Sequence, residues 1–264
     1  MKQVKILAIG NSFSEDATYY LHQMAKTVGI DSKVVNLYIG GCSLETHMNN
    51  VKMDEVSYRY EMNGIITERY VSIKEALQED AWDYITIQQA SHDSGIIDSY
   101  YPYVELLYDY IREFQKGAKI LLHQTWAYER DSTHECFDRY HNSQEEMYHK
   151  LKIAYLDVKS KLGIDMIPCG DVIQEVRKRT PFQYDKGELS LCRDGFHMHY
   201  IYGRYLLAAT WYEVIFGLNI LENDFIPKTD YMPYVDVDLE ALHIIKTCVH
   251  EIVTNINTIE NNLL

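Results

Sequence analysis

The chain has 264 residues, 47% of them apolar and 24% charged, and its 25 Lys and Arg against 39 Asp and Glu leave a formal charge of −14. This is the composition of a folded globular chain rather than a disordered or fibrous one. So acidic a balance argues against a nucleic-acid platform, which needs a basic face to release counterions from phosphate, and equally against an anionic membrane surface as partner.

At the amino end Met1-Lys2-Gln3 runs at once into the alternating run Val4-Lys5-Ile6-Leu7-Ala8-Ile9. No basic segment followed by an apolar segment and a cleavage site can be drawn there. The expected location is the cytoplasm if the chain is complete, and the periplasm or the exterior if a leader has been removed. The most apolar stretch, from Tyr205 to Leu218, is interrupted by Glu213 and is shorter than the roughly 20 residues a bilayer requires. The 5 cysteines are scattered, odd in number and without C-x-x-C spacing, which favours a reduced compartment over a disulfide framework.

Short β-branched runs alternate with longer stretches of helical period. Strands are expected at about 3–9, 33–39, 83–89, 118–124 and 163–168, and helices at about 14–28, 99–116, 142–161, 171–179, 200–216 and 238–257. Alternation of this kind specifies an α/β chain with a parallel sheet covered by helices on both faces, and five βα units read as one domain over 1–264. Between 56 and 72 the pattern breaks. Tyr58-Arg59-Tyr60 and Ile65-Ile66-Thr67 flank Asn63-Gly64, a dipeptide that tolerates the positive φ of a tight turn, so a small β-hairpin is inserted after the second strand. A second excursion, from Trp126 to Tyr140, follows the fourth strand and is rich in charge and His. The 23 Tyr against 7 Phe suit a wet surface or a sugar-binding groove, or simply cover the helices.

Two segments carry reactive chemistry. Gly10-Asn11-Ser12-Phe13-Ser14 ends the first strand and opens a helix, where unsatisfied backbone N–H groups offer donors to an oxyanion formed at a serine; the plainer reading is a helix cap. Far downstream, Arg193-Asp194-Gly195-Phe196-His197-Met198-His199-Tyr200 precedes a late helix. A carboxylate three residues ahead of an imidazole in a Gly-containing turn can accept its Nδ1 proton and leave Nε2 to take one from a hydroxyl, although Asp and Gly also favour turns for local reasons.

A serine after the first strand with Asp-x-x-His before a late helix resembles the SGNH hydrolases, the GDSL-type lipases and esterases. The resemblance implies a flavodoxin-like three-layer α/β/α sandwich with a five-stranded parallel sheet, Ser12 as nucleophile, and His197 and Asp194 as its base and orienting acid. Asn11 stands where Asp is usual. A glycine after the second strand enters the family's oxyanion hole, matched here by Gly41, with Gly40 the second reading. After the third strand most members have Gly-x-Asn-Asp, whereas this chain runs Gln88-Gln89-Ala90-Ser91-His92-Asp93, agreeing with the Gln-Gly-Glu-Ser of carbohydrate-esterase branches at Gln88 and Ser91. Gln88 is therefore the expected third oxyanion donor beside the N–H groups of Ser12 and Gly41, with Gln89 and His92 as competitors.

The expected activity is that of a serine esterase acting on a small-molecule or glycan ester, removing a short O-acyl group from a carbohydrate, with Trp126 and Tyr128 stacking the sugar. No metal or organic cofactor is required, and the oligomeric state is open. Rival readings are a metal site gathered from His92, Asp93, Asp194, His197 and His199, a non-catalytic glycan-binding module, and a lipase or thioesterase of the same fold.

Overall fold

The computed structural model describes residues 3–261. In chain order it contains β1 (Val4–Gly10), α1 (Ser12–Thr18), α2 (Leu21–Thr27), β2 (Ser32–Tyr38), α3 (Leu44–Met53), β3 (Tyr58–Met62), β4 (Ile65–Val71), α4 (Ile73–Glu79), β5 (Tyr84–Ile87), α5 (Tyr103–Phe114), β6 (Lys119–His123), α6 (Gln144–Leu162), β7 (Asp165–Ile167), α7 (Cys169–Val176), α8 (Tyr202–Phe216) and α9 (Leu239–Asn261). The strands form one seven-stranded sheet in the order β4-β3-β2-β1-β5-β6-β7. Its five-stranded part is parallel, with β1 central between β2 and β5, while β3 and β4 join antiparallel at the β2 edge. The expected hairpin is present, and it lengthens the sheet from five strands to seven. Helices cover both faces, the α/β/α sandwich that the sequence pattern predicts.

Burial explains the central strands. Ile6, Leu7, Ala8 and Ile9 are at most 1% exposed, as a strand covered on both faces must be, and so they read as a continuous apolar run. The helix α8 is buried almost all round, from Tyr202 through Ile215, because it is wedged among α1, α2, α7 and α9 and has no face left for water. No helix among the described residues is long and apolar enough to cross a membrane.

Three local features depart from the expected elements. The helix expected at 14–28 is two, broken at Tyr19 and Tyr20 between α1 and α2. The helices α3 and α4 are additional. Each is announced by a serine: Ser43 accepts from Thr46 N–H, and Ser72 forms a reciprocal capping box with Glu75. They are short, so the capping residues carry more of the signal than the hydrophobic period does.

The hairpin turn takes Asn63 and Gly64 through positive φ of 55° and 79°, the geometry of a two-residue primed turn. Gly64 also meets the α1–α2 break, since a Cβ there would lie 2.2 Å from the Tyr19 carbonyl oxygen. Gly64→Ala is therefore expected to destabilise the chain by more than about 1 kcal/mol in urea denaturation, from both the positive φ and the clash. A neutral effect would show that the hairpin is not seated on the helix break.

Candidate active site

The switch of direction between β1's two neighbours, β2 and β5, leaves a crevice beyond the carboxyl ends of the strands, and the expected nucleophile lies there. Asn11, the N-cap of α1, organises the corner. Its Oδ1 accepts from Phe13 N–H at 2.9 Å and from the Gln88 amide at 3.0 Å, while its Nδ2 donates to the Cys42 carbonyl at 3.1 Å. One side chain thus fixes the start of the helix that bears Ser12 and the glycine turn after β2. The Ser12 and Gly41 N–H groups have no acceptor among the described residues, and the Ser12 group belongs to the unsatisfied first turn of a helix.

The segment after the short bridge strand at Cys192 brings the other partners. Asp194 Oδ1 accepts from the N–H groups of Phe196 and His197, and its Oδ2 lies 2.7 Å from His197 Nδ1. This tight turn requires Gly195 at φ 88°, a conformation that a side chain would strain. Since Nδ1 faces a carboxylate it carries the proton, which makes Nε2 an acceptor, and Nε2 stands 2.9 Å from Ser12 Oγ. Burial raises the Asp194 carboxyl, but the hydrogen bonds from His197 outweigh it and hold the group below its usual range. Ser12, His197 and Asp194 are therefore brought together in one hydrogen-bonded line.

A buried carboxylate on α1 makes that meeting possible. Asp16, 0% exposed, accepts from Arg193 Nη1 at 3.0 Å, from Met198 N–H at 2.9 Å and from Arg204 Nε at 2.7 Å. Arg193 and Met198 bracket the Asp194–His197 turn, so the ion pair clamps that turn onto the helix that bears Ser12. A second clamp is aromatic. Phe13 stacks on Trp126 at 3.9 Å, and Trp126 Nε1 donates to the Phe196 carbonyl at 2.8 Å.

Several expected roles change here. Gln88 is 2% exposed; its amide donates to Asn11 and its Oε1 accepts from His123 Nδ1 at 2.8 Å, so it supports Asn11 from below instead of facing the crevice as an oxyanion donor. Burial pushes His123 down to about 3, leaving it a neutral partner in this chain. Gln89 is likewise spent, its Oε1 on Leu44 and Ala90 N–H and its Nε2 on Ser99. Trp126 and Tyr128 are both 0% exposed, and Tyr128 bonds Ser91; neither offers a face to a sugar, because each fills the space beneath the loops it anchors.

His92 stacks near His134, whose ring meets Phe196 edge-on at 4.8 Å, and Phe196 in turn lies 4.2 Å from His197. Burial, with His92 next to it, pushes His134 below its usual range. His199 Nδ1 accepts from Ile201 and Tyr202 N–H and so serves the approach to α8. No group of three His, Cys, Asp or Glu able to hold a metal forms among the described residues.

Sequence reading overlooked Asp16, Glu15, Arg204 and His134. Asp16 had a signal: a carboxylate at i+4 from the serine, next to the apolar Ala17 on a helix that must pack on a sheet, has to be paired when buried. Glu15, one turn from Ser12, faces Glu61 and Arg59 of β3. Burial, with Glu61 and Asp16, pushes its carboxyl up to about 7 against the pull of Arg204 and Arg59.

A family model described as a domain of unknown function, DUF4886, matches residues 5–244. Among solved structures, a DUF4886 family protein from Bacteroides uniformis is 35% identical, with 96% of this chain and 95% of that one covered at a TM-score of 0.87. A candidate SGNH hydrolase from Slackia heliotrinireducens is 20% identical over 81% of this chain and 100% of that one, at a TM-score of 0.56. An acetylxylan esterase from Geobacillus stearothermophilus is 14% identical over 82% and 95%, at 0.55. These two share the fold with this chain. No curated protein matches.

Two expectations follow from the charges. Asp16→Asn strips the counter-charge from Arg204, whose side chain is 3% exposed, and should cost about 3–5 kcal/mol in denaturant unfolding, the usual penalty for a buried charge left without its partner; a cost below about 1 kcal/mol would contradict the clamp. For Glu15, an unfolded carboxyl titrates near its ordinary value of 4.5, and burial beside Glu61 and Asp16 pushes the folded one up to about 7. Between these values the native state holds the proton longer, so its stabilising contribution is complete below 4.5 and disappears as pH rises through 7. Glu15→Gln should therefore gain stability relative to the parent from pH 5 to pH 8. Parallel pH–stability curves would rule this out.

Proposed function

The chain belongs to the DUF4886 family, and on that footing we propose that it is a serine ester hydrolase which removes short O-acyl groups from a carbohydrate. The single observation that carries the reading is the line from Ser12 Oγ through His197 to Asp194, with spacings of 2.9 and 2.7 Å. Kinship of fold with an acetylxylan esterase supports the substrate class.

Ser12 Oγ attacks the ester carbonyl as its proton passes to His197 Nε2. The new oxyanion is received by the N–H groups of Ser12 and Gly41; loss of one such donor costs roughly 3–4 kcal/mol in the barrier. Collapse breaks the ester C–O bond, and His197 returns the proton to the leaving alcohol. Water then repeats the sequence on the acyl-serine, releasing the carboxylic acid and restoring Ser12. Asp194 holds the imidazole in the Nδ1–H form and stabilises its cation. Gln88, His123 and Asn11 position the nucleophile corner without touching the reacting atoms.

Ser12→Ala should lower p-nitrophenyl acetate hydrolysis by about 10⁴-fold or more, as removal of a triad nucleophile does. A fluorophosphonate probe should label the parent once, at Ser12, and the variant not at all. Activity of the variant within tenfold of the parent would refute the assignment, and an unlabelled parent would favour a non-catalytic glycan-binding module.

A further inference from the structure

A cavity of about 460 Å³ opens between α1, the β3–β4 hairpin and residues 230–231, walled by Glu15, Tyr19, Glu61, Ile65, Ile66 and Tyr231. Glu15, on its wall, stands three residues after Ser12 within α1, so the cavity reaches to within about one helical turn of the serine. The other approach leads from the glycine turn after β2: Arg59 lies over the Tyr38 ring at 4.0 Å and pairs with Glu61, with Glu15 at 3.7 Å.

The chemistry of the walls is mixed. Glu61 is held by Arg59, which also stands 3.7 Å from Glu15, and Asp16 is turned to Arg193 and Arg204 away from the wall; Glu15, Glu61 and Asp230 are the carboxyl groups that line the cavity. Ile65 and Ile66 expose 67% and 49% of their surface, and Tyr231, 55% exposed, stacks on Tyr200 at 4.5 Å. Behind the tyrosines sits Arg204, its guanidinium 4.1 Å from Tyr19 and 5.5 Å from Tyr231. Its Nη1 is buried and has no partner among the described residues, and neither Arg204 nor any other arginine or lysine lines the cavity.

Given the serine-hydrolase reading, on which this rests, we propose that the cavity is the subsite for the alcohol half of the ester, and that it accepts an uncharged polyhydroxylated ring and rejects an anionic one. The apolar C–H face of such a ring suits Tyr231 and the two isoleucines. Its hydroxyls donate to Glu15 and Asp230. A carboxylate or phosphate in the same place meets Glu15 and Asp230 at close quarters, with no lysine or arginine on the wall to offset them.

The test compares acetylated xylotetraose with acetylated tetragalacturonate at low salt, using the full chain. The expected kcat/KM favours the neutral ester at least tenfold. Tyr231→Ala should raise KM for the neutral ester about tenfold with a smaller change in kcat, and Asp230→Lys should narrow the neutral-to-anionic ratio at least threefold. Equal kcat/KM for the two esters, or a Tyr231→Ala protein with the parent's KM, would overturn the proposal. Calorimetry with unacetylated xylotetraose and tetragalacturonate separates the subsite from the chemistry. If Ser12 proves inert, preferential binding of the neutral oligosaccharide, weakened by Tyr231→Ala, still supports the cavity's assignment, and absence of that preference rejects it.

Discussion

Everything at the crevice depends on a carboxylate that water does not reach. Asp16 gathers two guanidinium groups and a backbone N–H from parts of the chain 177 to 188 residues away. Pairing of this kind is costly to assemble in a low-dielectric interior and costly to break, because each partner left alone is a desolvated charge. Its value lies in placement. The same side chain belongs to the helix of Ser12 and grips both neighbours of the Asp194–His197 turn, so the hydroxyl and the imidazole share one rigid support.

Asn11 plays the corresponding part for the donors. Its amide is used in both directions, accepting from Phe13 and Gln88 through Oδ1 and donating to the Cys42 carbonyl through Nδ2. An aspartate in that place would set an anionic oxygen against a carbonyl oxygen. The asparagine is thus matched to a glutamine below and a carbonyl beside it, and Asn11 and Gln88 form a single compensated arrangement. The buried, neutral His123 completes it by donating to Gln88 Oε1.

The aromatic rings fall into two populations. Trp126, Tyr128 and Phe13 are buried and tie loops together, whereas Tyr200 and Tyr231 remain accessible around Arg204. Composition records only that tyrosine is abundant. Which ring faces solvent depends on how the hairpin, α1 and the segment before α9 close on one another, and that is a matter of packing.

Much was legible beforehand because it is local. The alternation of apolar runs determined the strands and most helices, Asn63-Gly64 determined the hairpin turn, and the spacing Asp194-x-x-His197 determined a contact that one tight turn can make. The short helices α3 and α4 escaped a reading based on hydrophobic period, although Ser43 and Ser72-x-x-Glu75 announce them. Other features belong to tertiary structure alone. Whether Gln88 points into the crevice or beneath it, whether Trp126 stacks on a sugar or on Phe13, and how far apart Ser12 and His197 stand are decided by contacts between residues remote in the chain. A side chain's type limits the bonds it is able to make; only the packed neighbours select which of them it makes.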